Sequence, residues 1–167
     1  MKELFGQFYI KKILRYALYL VLSLIVQNML FARIKIFGVS PFWLPAVVVG
    51  VAMFEGAVDG GIFGLILGIF ADMAFAENVI LFTVFFPVLA FVAGFLSQFY
   101  INRRFFAFMG LALVAELAAA VVQMLSTFIG DAWSVELIKT ALLQTAISLP
   151  FSAFTYLPPA RWINQEN

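Results

Sequence analysis

The sequence predicts an all-α integral membrane protein, a compact bundle of about six transmembrane helices with both termini in the cytoplasm (N-in/C-in). Residues 1–167 form a single membrane domain on this reading. Two observations carry it. The chain is 65% hydrophobic and only 11% charged, with a mean hydropathy of +1.06, whereas a soluble domain carries about 25% charged residues. Its apolar runs are long and separated by short polar breaks, a pattern that fits helices and not the period-2 alternation of a barrel.

The spans follow in order. The first runs from about Ile13 to Phe31, after an amphipathic start that includes Lys11 and Lys12. It has the basic flank of a signal peptide but no small-x-small cleavage site, and is read as an uncleaved span. The second runs from Ile36 to Phe54 with Pro41 and Pro45 in its first half. The third runs from Gly56 to Phe75, and the fourth from Val79 to Phe99 with Pro87 inside. The fifth runs from Phe105 to Ile129, and the sixth from Val135 to Leu157 with Pro150 inside. Each is near the ~20 residues that cross a hydrocarbon core of about 30 Å. Internal prolines are tolerated in membrane helices when neighbours satisfy the freed carbonyl, and are read as packing kinks.

Basic residues near span ends set the orientation. With the N-terminus inside, Lys2, Lys11, Lys12, Arg15, Arg103, Arg104 and Arg161 collect on the cytoplasmic side, against Arg33, Lys35 and Lys139 outside. Trp43 and Trp133 then anchor the outer interface and Trp162 the inner one.

Composition also excludes chemistry. The chain has no Cys and no His, which removes thiolate nucleophiles, His bases and the common soft or imidazole metal ligands. No basic block suggests nucleic acid. No cofactor is expected. An intramembrane aspartyl dyad fits poorly. Asp59 and Asp72 lie about 20 Å apart along one helix, and Asp72 and Glu116 differ by roughly 8 Å in depth. The chain is read as no enzyme.

Two polar features remain. In "EGAVDGGIFGLILGIFAD", glycines recur at Gly56, Gly60, Gly64 and Gly68, and the next step of four reaches Asp72. Each step turns the helix face by about 40°, so the ladder is a slowly winding stripe where another helix can approach closely. The stripe is a helix-packing seam, either internal or facing a partner protein. Glu116 lies midway through the fifth span, on a small-residue face with Ala112, Ala119, Ala120 and Gln123. A charge at that depth costs several kcal/mol and is expected to face protein or a cavity. Gln27, Asn28 and Gln123 fall near the depth of Asp72, so these residues are expected to form one outer polar cluster against the seam.

The order of these features resembles the rod shape-determining protein MreD family. The resemblance rests on "VQNMLF", then "FGVSPFWLPAVVV", then the glycine-laddered third span closed by Asp72, and covers about Gln27 to Asp72. Glu55 stands where a basic residue is common, and "MAFAENVILFT" follows where further glycines are common. The resemblance implies a non-enzymatic scaffold of the bacterial cytoplasmic (inner) membrane. It would bind an MreC-type single-span partner and sit with RodA and a class B penicillin-binding protein in the cell-elongation (rod) complex, supporting peptidoglycan synthesis and cell shape. The alternative is the substrate-binding S component of an energy-coupling factor vitamin transporter, which would need an outer pocket near Glu77, Asp131 and Trp133.

Overall fold

The computed structural model describes residues 2–31, 33–75, 80–100, 104–128 and 135–166. Glu77, Arg103, Asp131 and Trp133 lie outside the described residues, as does the side chain of Trp162. Helix α1 (Lys2–Ile25) runs on into a π-helical turn, Val26–Phe31. It is followed by α2 (Leu44–Glu55), α3 (Ala57–Phe75), α4 (Phe82–Phe99), α5 (Phe105–Phe128), α6 (Val135–Thr155) and α7 (Leu157–Glu166). No strand occurs among the described residues; the one extended contact is an isolated bridge between Ile36 and Val39. The chain is thus an all-helical bundle. Among the described residues four segments are long and apolar enough to cross a membrane: Ile10–Phe31, Ala57–Ala74, Phe82–Phe99 and Phe105–Gln123.

The second predicted span needs correction. Residues 36–43 are not helical. Ile36 and Val39 exchange backbone hydrogen bonds of 3.0 and 3.1 Å around Phe37 and Gly38, whose φ angles are 54° and 84°. Two consecutive left-handed residues make a tight reversal. Pro41 stands in the irregular stretch that follows, and Pro45 falls in the first turn of α2. There its missing N–H is no loss, because the first helical amides have no intrahelical acceptor. Neither proline kinks a helix. Pro87 and Pro150 do lie inside α4 and α6.

The 12 residues of α2 span about 18 Å, too short for the bilayer core. Every residue from Leu44 to Phe54 is buried, and α2 packs against all the other helices. It is the axis of the bundle. A helix apolar on all sides reads the same in sequence whether lipid or protein surrounds it. The outer helices do face outward with large apolar side chains, among them Leu14, Ile62, Met73, Val88 and Val114, as a lipid-facing surface requires.

At one end of the bundle α2 turns directly into α3 at Gly56. Its φ of 98° suits glycine, and a Cβ there would also meet the Gln98 side chain. Gly56 is therefore the joint before α3 and not the first rung of a helical ladder. The remaining rungs pack inward. A Cβ on Gly60 would fall 2.6 Å from the Ala52 backbone on α2, one on Gly64 2.8 Å from the Phe86 carbonyl, and one on Gly68 2.4 Å from the Phe82 carbonyl, the last two on α4. The stripe begins against α2 and winds onto α4, as 40° per step implies. It is an internal seam, and the partner-facing reading of these glycines is withdrawn. Helix α4 answers with Gly94, where a Cβ would lie 2.6 Å from Ala57 backbone atoms.

Because these contacts are to backbone, they leave little room for relief. Gly68→Ala is expected to destabilise the protein by about 1–3 kcal/mol. Gly61→Ala, where nothing lies within 4 Å of the added carbon, should be neutral or slightly stabilising. Unfolding of both variants in lipid or mild detergent measures the difference.

Candidate functional site in the buried polar contacts

In their described contacts the polar residues of the spans do not meet in one cluster. Each closes a different helix end or helix pair. Asp72, four residues beyond Gly68, continues the stripe onto the start of α4. Its Oδ1 accepts the Phe82 N–H at 2.9 Å, and its Oδ2 accepts the Thr83 N–H at 2.8 Å and the Thr83 hydroxyl at 2.6 Å. These are amides at the α4 N-terminus that have no intrahelical acceptor, and a negative group there also meets the positive end of the helix dipole. Leu81, at the N-cap position of α4, offers no side-chain cap, so α3 supplies one.

Gln27 does the same for the entry to α2. Its Nε2 donates to the Pro41 carbonyl at 3.0 Å, and its Oε1 accepts the Trp43 N–H at 3.2 Å. The π turn carries Gln27, 3% exposed, into the bundle. Asn28, next along the turn, is half-buried. From the other side, Ser148 of α6 accepts the Phe42 N–H at 2.8 Å. Three backbone groups of residues 41–43, where Pro41 and Phe42 are buried, are thereby satisfied by side chains from the π turn and α6.

The third group lies between α5 and α6. Gln144 Nε2 donates to Gln123 Oε1 at 3.3 Å. About two turns on, Glu116, 4% exposed, receives the Ser152 hydroxyl at Oε1, and its buried Oε2 has no hydrogen-bond partner among the described residues. Ala112, Ala115, Ala119 and Ala120 are buried beside it on α5, so the small-residue face is real and turns inward.

The described ion pairs gather at the α2–α3 joint. Lys12 of α1 pairs with Glu55 and, at 3.5 Å, with Asp59, while the Tyr16 hydroxyl donates to Glu55. The same end holds Ser97, which donates to the Met53 carbonyl at 3.2 Å, and Tyr156, whose ring meets Phe54 and Phe105, both at 5.4 Å. Lys12, Arg104 and Arg161 thus belong to one end of the bundle.

Sequence reasoning passed over α6. Thr145, Ser148, Ser152 and Thr155 are all buried, spaced three, four and three apart along one helix face. Their hydroxyls reach the first residues before α2, Glu116 and the α6 backbone, and the Tyr19 hydroxyl donates to the Thr155 carbonyl at 3.1 Å. The signal was present as a hydroxyl stripe at helical spacing. Among the described residues, no group of three His, Cys, Asp or Glu side chains could hold a metal ion. The described polar contacts join helices, and Glu116 places a buried carboxyl between two of them.

Asp72→Ala removes the cap on α4 and is expected to cost about 1–2 kcal/mol. Asp72→Asn, with one carboxylate oxygen replaced by a donor, should retain part of that stability. Among the described residues Asp72 and Gln123 share no partner, so Asp72→Asn and Gln123→Leu should add within about 0.5 kcal/mol in a double-mutant cycle. Equilibrium unfolding of the four proteins gives both answers. No protein-family model, curated protein or solved structure matches the chain.

Proposed function

We propose that this protein is a non-enzymatic scaffold of the MreD type in the bacterial cytoplasmic membrane. In this role it binds an MreC-type single-span protein and serves the complex of RodA and a class B penicillin-binding protein that builds peptidoglycan during elongation. One observation supports the reading above others. The stretches that carry the resemblance lie together: Gln27 of "VQNMLF" holds Pro41 and Trp43 of "FGVSPFWLPAVVV", and the laddered helix packs Gly60 on Ala52, three residues past that stretch on α2. A set of residues that builds one local arrangement is a stronger basis for kinship than three separate matches. The polar side chains described above serve helix-to-helix contacts, which suits a scaffold whose product is a shape.

The proposed topology is N-in and C-in with six passes, α2 being carried inside the bundle. The positive-inside tendency supports it, since Lys12, Arg104 and Arg161 stand at one end. The glycine seam is occupied by α2 and α4, so the partner docks on an outer face.

Affinity capture of the tagged protein from native membranes tests the proposal. An MreC-type protein is expected among the co-purified partners, and it should survive Gly61→Ala. Capture of an energy-coupling ATPase pair, or retention of a vitamin, would assign the protein to the transporter S components instead.

A further inference from the structure

The hydroxyl of Ser152 has more acceptors than protons. It contacts Glu116 Oε1 and, at 3.0 Å, the Ser148 carbonyl one turn back on α6. A serine hydroxyl carries one proton and can accept two more hydrogen bonds; an ionised carboxylate and a carbonyl only accept. With Glu116 ionised, three oxygens in a row share a single proton. One of the two contacts is then a meeting of lone pairs, and the second carboxylate oxygen has no hydrogen-bond partner among the described residues. With Glu116 protonated the chain is complete: Glu116 donates to Ser152, and Ser152 donates to the Ser148 carbonyl.

No described ion pair involves Glu116; on the other elements that meet α6, Arg15 of α1 lies one turn before Tyr19, which reaches Thr155, and Arg161 of α7 is exposed. Among the described residues the ion pairs are those of Lys12 with Glu55 and Asp59. On α5, Glu116 is flanked by buried alanines, and Arg104 precedes the helix. Helix α4 contains no ionisable residue, and α2 none before Glu55, which is held by Lys12. On α6 the ionisable residues are Glu136 and Lys139, at the end of the helix away from Ser152; Lys139 is exposed and about 20 Å along the helix from it. A bare carboxylate in such a place carries a large desolvation cost, and no described charge stands opposite to offset it.

We infer that Glu116, Ser152 and the Ser148 carbonyl form a proton-binding site between α5 and α6, in which Glu116 is a neutral carboxylic acid that donates to Ser152. The proton is the ligand. It turns a destabilising charge into the donor that joins the two helices. This site does not depend on the scaffold reading.

Infrared spectroscopy of the full-length protein in lipid at neutral pH tests it. A carbonyl stretch of a neutral carboxylic acid is expected. It should shift when glutamate carboxyl groups are isotope-labelled, disappear in Glu116→Gln, and move to higher frequency in Ser152→Ala, where the acid loses its acceptor. The labelled wild-type protein gives an answer even if a variant fails to fold. Absence of the band, its persistence in folded Glu116→Gln, or an unmoved band in folded Ser152→Ala overturns the inference.

Discussion

The bundle depends on finishing the ends of a short helix where water is scarce. Helix α2 is buried along its length. Inside a membrane, unpaired backbone groups at its termini have no solvent to turn to. Its C-terminal end is level with that of α4, since Ser97 bonds the Met53 carbonyl, but α2 has 12 residues to the 18 of α4. Its start therefore falls about 9 Å short of the start of α4. Residues 40–43 cover that gap as irregular backbone, and Gln27 and Ser148 accept or supply the hydrogen bonds that a helix would have made itself. The π turn in α1 and the hydroxyl stripe on α6 both make sense as the sources of these groups.

Around this axis, close approach replaces the hydrophobic drive that lipid cannot supply between helices. Gly60 admits α2; Gly64, Gly68 and Gly94 admit α3 and α4 to one another. The same stripe that brings α4 close carries Asp72 to its N-terminus. Packing and capping are thus two results of one four-residue repeat, which accounts for an acid at the position where a fifth glycine would stand.

Much of this was legible in the residues. The apolar composition gave the helical membrane class, and the four-residue spacing gave a seam that winds. The fate of Gly56 was not legible, because a glycine that caps a joint and one that lines a helix look alike within a repeat. Nor was the place of α2, since "VVVGVAMF" is apolar on every side. Its residue sizes held a hint: Val, Ala and Gly dominate the buried axis, whereas Leu, Ile and Phe dominate the outward faces. The expected cluster of Asp72, Gln27, Asn28 and Gln123 failed for a definite reason. Similar depth places residues at one level of the membrane but leaves their direction around the bundle free. Asp72 faces α4, Gln27 the entry to α2, and Gln123 faces α6.

The buried axis also makes the length of this segment a coded quantity. Gly50 lies where a side-chain carbon would come within 3.2 Å of the Thr155 carbonyl, while Gln27 and Ser148 hold one end of α2 and the Gly56 turn fixes the other. One residue added to the helix would rotate everything beyond it by about 100°, swinging a valine towards that carbonyl with no slack at either end to unwind it. Substitution by another small apolar residue is a mild change here; insertion or deletion is a severe one. Among descendants of this sequence, gaps should collect in the outer connections and stay out of α2.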